Sequence, residues 1–194
     1  MNRPSELLRL VHPHSIPLGF ELRVQIELQG TVLRADYEVQ TPNPPHLQPG
    51  LPRNTSQWGL WESDVVELFL TISDECYYEF QLSPLGQFFE LRIFEPRKRF
   101  DRSFHCAGAR FSAEYPGAAM ISEAPMGVGA PVFWKGRMEI PLNELGWDGD
   151  LKKLRGNVFA ILGSSEKKTY WSLFLPKQAE PDFHRPEYFK PLLT

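Results

Sequence analysis

The feature that most constrains this chain is a pair of adjacent segments whose composition fits two facing β-strands. The first, residues 60–70, is dense in Val, Leu and Phe, which suit a pleated and half-buried surface. The second, residues 76–86, alternates polar and aromatic residues with a period of two. Residues 71–75 supply a polar turn of the length that closes an antiparallel hairpin. We call residues 60–86 the core hairpin.

One face of the core hairpin combines acidic, amide and phenol groups. Glu67 lies on the odd-numbered face of the first strand among apolar neighbours. Glu79 and Gln81 share the odd-numbered face of the second strand with Tyr77. If the two odd-numbered faces coincide, these groups lie together beside Trp61. That combination suits a polyhydroxylated ligand.

Turn-forming residues divide the rest of the chain into short strands. The sequence contains 18 Pro and 14 Gly, and no long segment shows helical periodicity. Residues 19–28 and 31–40 alternate apolar and polar residues around a Gln-Gly turn, and they predict a second hairpin. This pattern predicts an all-β fold, an antiparallel β-sandwich of the jelly-roll type with little helix. Further strands are predicted at residues 87–94, 105–113, 118–123, 132–140, 157–164, 169–175 and 192–193.

The size and charge of the chain limit its domain number and its partners. A chain of 194 residues that is 42% hydrophobic can bury one substantial core, so we predict a single domain over residues 1–194. The net charge of -3 and the dispersed Lys and Arg residues argue against nucleic acid or a membrane as partner. The N-terminal segment lacks the apolar run of a secretory signal, so we expect a cytoplasmic location.

Sequence motifs for catalysis or metal binding are scarce. The chain contains no P-loop, dinucleotide-binding, nucleophile-elbow or zinc-helix motif. Glu62, Asp64 and Glu67 are candidate calcium ligands, or the carboxyl groups of a glycan-active enzyme. Glu62 and Glu67 have opposite strand parity, which makes a catalytic pair across a sugar awkward.

Three ordered motifs resemble those of the DOMON-like proteins and the related family-nine carbohydrate-binding modules. They are LWESDVVELF at residues 60–69, YYEFQLSPLG at 77–86, and YWSL at 170–173 followed by PDFHRPEYF at 181–189. The resemblance covers most of the chain. It implies a β-sandwich that binds sugars without catalysis, with the ring between aromatic side chains. Trp61 and Glu67 stand at positions similar to one aromatic clamp residue and a hydroxyl-binding acid.

The resemblance leaves the opposing side of the clamp open among three residues. Trp171, Phe183 and His184 are the candidates, because the C-terminal segment departs from the sugar-binding pattern. Arg92, on the next predicted strand, is a candidate hydrogen-bond donor to ligand hydroxyls or a cross-strand partner for an acid. The complete predicted ligand site is Trp61, Glu67, Glu79, Gln81, Arg92, Trp171, Phe183 and His184.

The leading hypothesis is therefore a non-enzymatic binding module for a small carbohydrate or glycan end, without a cofactor. The alternative is a haem or other redox-cofactor domain, because the wider DOMON group also includes such domains. Met120, Met126 or Met138 with His105 or His184 would then ligate the iron, and the spacing selects no pair. An enzyme acting on glycans is the third hypothesis.

Overall fold

The computed structural model describes residues 2–12, 19–48, 50–116, 131–164, 166–175 and 181–193. In chain order the strands are β1 (Asn2–Leu7), β2 (Arg9–His12), β3 (Glu21–Gln29), β4 (Val32–Thr41), β5 (Val65–Thr71), β6 (Tyr77–Leu82), β7 (Phe88–Glu95), β8 (Arg99–Asp101), β9 (Arg110–Glu114), β10 (Val132–Pro141), β11 (Arg155–Leu162), β12 (Thr169–Ser172) and β13 (Lys190–Pro191). Short 3-10 helices span Leu60–Glu62, Leu142–Leu145 and Pro186–Tyr188. No helix in these ranges is long and apolar enough to cross a bilayer.

The strands form two antiparallel sheets, as the sequence predicts. The first sheet has the strand order β1-β3-β4-β10-β9. The second has the order β2-β12-β11-β5-β6-β7-β8, and β13 also pairs with β11. Both predicted hairpins are present, as β3 with β4 and β5 with β6. The predicted all-β sandwich with little helix is therefore confirmed.

Strands β5 and β6 are buried on both faces and lie in the middle of the second sheet. Even-numbered residues such as Leu68 and Phe80 point into the core between the sheets. Odd-numbered residues such as Phe69 and Tyr77 belong to a separate apolar cluster on the outer face. We call this the outer cluster. A strand buried on both faces needs a nearly continuous apolar run, which explains the composition of β5.

The C-terminal segment, residues 181–189, covers part of the outer cluster. Phe183 stacks on Phe159 with a centroid distance of 4.1 Å. The Arg155 side chain anchors the end of the segment by donating to the Phe189 carbonyl at 2.6 Å. Prolines deprive this segment of backbone donors, so it lies on the sheet face instead of joining as a strand.

Several predicted strand boundaries differ from the structure. Residues 60–62 form a 3-10 helix instead of the start of β5, because Gly59 takes the left-handed conformation with φ 90. The strand predicted from residue 105 begins at Arg110, and the last strand is Lys190–Pro191. The strand predicted at 118–123 lies outside the described residues.

Candidate functional site

A pocket of about 320 Å³ opens on the outer face of the second sheet. Pockets of roughly 300–1,000 Å³ bind small organic ligands. Its floor comes from the odd-numbered faces of β6 and β7, and its rim comes from loops, a 3-10 helix and the edge strand β8. The floor residues are Glu79, Gln81, Phe89, Leu91 and Ile93, and the rim residues are Trp58, Trp61, Arg97, Phe100 and His184.

Two tryptophans form an angled wall of the pocket. The rings of Trp58 and Trp61 meet edge to face, with a centroid distance of 4.6 Å and an interplanar angle of 89°. Backbone hydrogen bonds to β7 fix the preceding loop, since the Gln57 amide donates to the Phe88 carbonyl at 2.7 Å. Trp58 is 43% exposed, and the Arg102 guanidinium covers its ring at 3.7 Å from the centroid.

Three buried polar side chains form a hydrogen-bonded group beneath and within the pocket floor. Glu67 is directly opposite Gln81 in the β5–β6 pairing, so the odd-numbered faces coincide as predicted. The Gln81 Nε2 donates to Glu67 Oε1 at 3.2 Å and to Glu79 Oε1 at 2.5 Å. Both amide hydrogens of Gln81 are therefore used, and the orientation of its side chain is fixed.

Two acceptor atoms of this group remain without a partner. Glu79 Oε2 and Gln81 Oε1 are buried and accept no hydrogen bond from any described residue. Leaving a buried acceptor unpaired costs about 1–3 kcal/mol. Both side chains line the pocket, so a ligand bound there would lie next to the residues that carry these unpaired acceptors.

Burial controls the protonation of the acids. It raises the pKa of Glu67 well above its ordinary value, and the nearby charge of Glu79 raises that pKa further. Burial also raises the pKa of Glu79 to about 7, while the hydrogen bond from Gln81 opposes the rise. The pKa of His184 is lowered by burial and by the positive charge of Arg97. At neutral pH the site thus contains a partly ionised Glu79 and a neutral His184.

At the rim, the β7–β8 turn contacts the C-terminal segment. Arg97, in the turn, forms an ion pair with Asp182 of the segment. His184 lies next to them, with its Nδ1 3.0 Å from the Tyr77 hydroxyl and its Nε2 4.0 Å from Glu79 Oε2. These contacts hold the C-terminal segment against the pocket.

A larger cavity of about 730 Å³ lies at one end of the sandwich, next to Asp64. Burial raises the pKa of Asp64 to about 7. Its Oδ1 accepts a hydrogen bond from the Gly163 amide at 2.7 Å, so this acid fixes the neighbouring loop. The aromatic-walled pocket is the better candidate because its polar floor has unpaired atoms.

The structure brings together four of the predicted site residues and places Glu67 directly beneath them. Trp61, Glu79, Gln81 and His184 all line the pocket. Glu67 is buried and contacts Gln81 without lining the cavity. The binding role of these residues stays a prediction.

Three other predicted residues lie elsewhere, and these assignments are corrected. Arg92 is opposite Tyr78 in the β6–β7 pairing, so it lies on the inner face of the sheet and binds Asp101 at 2.9 Å. Trp171 is buried in the core between the sheets and stacks on Phe20. Phe183 packs in the outer cluster and does not line the pocket.

Sequence reasoning missed three rim residues, Trp58, Arg97 and Phe100. Trp58 directly follows the proline-rich segment of residues 41–57. Its short separation from Trp61 was the available signal. Arg97 and Phe100 come from a β-turn and an edge strand, and no spacing rule connects them to β6.

The three acids predicted as calcium ligands or catalytic groups each contact a different partner. Glu62 contacts Lys168 at 3.1 Å, Asp64 binds the Gly163 amide, and Glu67 binds Gln81. Within the described ranges, no group of three or more His, Cys, Asp or Glu side chains is arranged to hold a metal ion.

The residues considered for haem ligation also lie apart where they can be placed. Met138 is in the core between the sheets, whereas His184 lies on the outer face of the second sheet. His105 is bound to Glu90 Oε2 at 2.7 Å. Met120 and Met126 lie outside the described residues.

No known family model matches the chain. Its curated relatives include three mammalian proteins, each 31% identical over 77% of this chain. They are the UPF0462 protein C4orf33 homologs of Rattus norvegicus and Mus musculus, and UPF0462 protein C4orf33 of Homo sapiens. The chain covers 66% of the rat protein, 69% of the mouse protein and 66% of the human protein. It thus spans about two thirds of their length.

Solved structures with a similar fold include proteins connected with carbohydrate binding. A candidate carbohydrate-binding protein from Bacteroides uniformis superposes with a TM-score of 0.72 at 18% identity, covering 95% of this chain and 83% of that chain. A family 9 carbohydrate-binding module from Caldicellulosiruptor kristjanssonii, in complex with glucose, gives a TM-score of 0.50 at 12% identity, covering 96% and 80%. At these identities the likeness shows a shared sandwich fold.

Proposed function

The chain belongs to the UPF0462 family, and we propose that it is a non-catalytic binding protein for a small carbohydrate or glycan end. The ligand occupies the pocket beside Trp61. The observation that carries the proposal is the pair of buried, unpaired acceptors on Glu79 and Gln81 at the floor of an aromatic-walled pocket.

The pocket matches both surfaces of a sugar ring. A pyranose has an apolar C–H face, which packs on an indole such as Trp61, and polar edges that carry hydroxyl groups. Hydroxyl hydrogens donated to Glu79 Oε2 and Gln81 Oε1 would satisfy the two unpaired acceptors. A hydrogen bond to a carboxylate is stronger than one between neutral groups, so Glu79 contributes the most directional contact.

The solved structures support the ligand class but not the individual contacts. The family 9 module was crystallised with glucose, and the Bacteroides protein is also described in terms of carbohydrate binding. Both share the sandwich fold with this chain. The residues that hold the sugar here are proposed from the pocket itself.

The test is a titration of the full chain with monosaccharides and disaccharides at millimolar concentration. Binding at Trp61 should change tryptophan fluorescence and raise the melting temperature. At a ligand concentration ten times Kd, the free energy of unfolding should rise by about 1.4 kcal/mol. Trp61→Ala should weaken binding at least tenfold, because the stacking surface is lost.

The matched control is Phe133→Ala, which removes an exposed aromatic side chain, 53% accessible, from the other sheet. This variant should bind sugars as the unmodified chain does. If no sugar shifts the fluorescence or the melting temperature, the proposed function is wrong.

A further inference from the structure

Two buried acids lie in and beneath the pocket floor, and neither makes a hydrogen bond to a basic side chain in the described part of the chain. Glu67 and Glu79 share the amide of Gln81, and both are almost fully buried. The rim residue His184 has its Nε2 4.0 Å from Glu79 Oε2, beyond hydrogen-bond distance. Arg97 reaches the rim, but it is paired with Asp182. Burying a carboxylate without a paired cation is costly, so a cationic ligand group would be stabilised here.

The hydrogen-bonding pattern of the floor also favours a cationic ligand group. The two unpaired atoms, Glu79 Oε2 and Gln81 Oε1, are both acceptors. An ammonium group has three donors and no acceptor, whereas a hydroxyl donates only one hydrogen. Glu79 and Gln81 are in hydrogen-bond contact, so the two acceptors belong to neighbouring side chains of the floor. The indole of Trp61 adds a cation–π surface at the wall.

We propose that the ligand carries a primary ammonium group on its hydroxylated ring, so that the pocket selects amino sugars over neutral sugars. This inference rests on the proposed function and specifies its substrate class. The ammonium lies on the floor between Glu79 and Gln81, and the apolar ring face packs on Trp61.

Glu79 and the titratable groups around it make the selection dependent on pH. Glu67 is on β5, Tyr77 is on β6, and His184 follows Asp182 in the C-terminal segment, which Arg97 contacts from the β7–β8 turn. Burial raises the pKa of Glu79 to about 7, and a bound cation would lower it. Binding of an amino sugar should therefore become tighter between pH 5.5 and pH 7, with release of a proton.

The experiment compares glucosamine, N-acetylglucosamine and glucose by calorimetric titration of the full chain at pH 7. Glucosamine should bind at least tenfold more tightly than glucose. N-acetylglucosamine keeps the nitrogen but loses the charge, so it should bind no more tightly than glucose. The preference for glucosamine should decrease at pH 5.5 and decrease with added salt.

Two variants test whether Glu79 causes the preference for glucosamine over glucose. In Glu79→Gln, glucosamine and glucose should bind with equal affinity, because the carboxylate is lost while the shape is kept. Glu38→Gln removes the same charge from the exposed face of the other sheet, where Glu38 pairs with Lys135, and should keep the preference. Melting curves of both variants check that they fold.

The possible failures separate the two proposals. If glucose and glucosamine bind the unmodified chain equally, selection of an ammonium group is wrong and the proposed carbohydrate function stands. If no sugar binds, the proposed function is wrong and the inference fails with it. The comparison of ligands on the unmodified chain is decisive even if Glu79→Gln does not fold.

Discussion

Glu67 shows how one side chain of this protein couples the pocket to stability. It is buried beneath the pocket floor, where its Oε1 accepts a hydrogen bond from Gln81. In the folded chain its pKa is raised well above the ordinary value, whereas in the unfolded chain it ionises near that ordinary value of about 4.3. Unfolding above that value therefore releases a proton, and stability falls as the pH rises.

We predict that Glu67→Gln reduces this loss of stability. The folded chain binds more protons than the unfolded chain above the ordinary pKa, so the free energy of unfolding should decrease from pH 5 to pH 8. Glutamine cannot ionise, so the variant should lose less stability over the same interval. Urea unfolding at both pH values measures the difference. Glu38→Gln serves as a control for net charge, and an equal slope in Glu67→Gln and the unmodified chain would contradict the prediction.

At the residue scale, strand parity predicted the acidic floor but not its complete surroundings. Glu67, Glu79 and Gln81 could be grouped because the local turn fixes the register of one hairpin. The position of Arg92 was predicted wrongly because residue parity along β7 does not give the register between β7 and β6. That register decides which residues of the two strands share a face. The β6–β7 pairing puts Arg92 opposite Tyr78, on the inner face.

The C-terminal segment contributes to the pocket without belonging to either sheet. It contributes His184 to the rim and Phe183 to the outer cluster. The Phe183 ring lies against Phe159, with an interplanar angle of 13°. The position of His184 therefore depends on apolar packing one residue away.

We predict that Phe183→Ala destabilises the chain by about 3 kcal/mol or more, because it leaves a cavity over β11. Sugar binding should also weaken, since His184 loses its support. Denaturant unfolding and sugar titration measure the two effects, with Phe133→Ala as the exposed aromatic control. Unchanged stability with lost binding would instead identify Phe183 as a ligand contact.

At the element scale, the hairpins were predictable and the rim was not. Alternating residues in β3 and β4 identify a strand pair from local pattern alone. The pocket rim combines a 3-10 helix, a β-turn and a proline-rich segment that are distant in sequence. Their meeting depends on tertiary packing, for which a single sequence contains no periodic signal.

The whole molecule uses the two faces of its second sheet for different purposes. The inner face packs against the first sheet, and the outer face carries the outer cluster and the pocket. The class of fold was predictable because short strands and turns recur throughout the chain. The strand order was not, since pairings such as β11 with β5 join residues far apart in sequence.

We predict that hydrogen exchange follows this organisation. Amides in β5, which lies between β11 and β6, should exchange most slowly, because both neighbours must open before they are exposed. Amides of the edge strands β8 and β9 should exchange fastest. Mass spectrometry of peptides after deuterium labelling measures the order, and exchange of β5 as fast as β8 would contradict it.

The pairing of β2 with β12 has a consequence for how the chain folds. Arg9 donates to the Leu173 carbonyl at 3.4 Å, across a separation of 164 residues. Closing so long a loop has a large entropic cost, and contacts of this kind slow the search for the native topology. On the ribosome, β2 is synthesised early but must wait for β12 to emerge before it has a partner. During that interval β2 lacks the partner strand that it has in the native sheet.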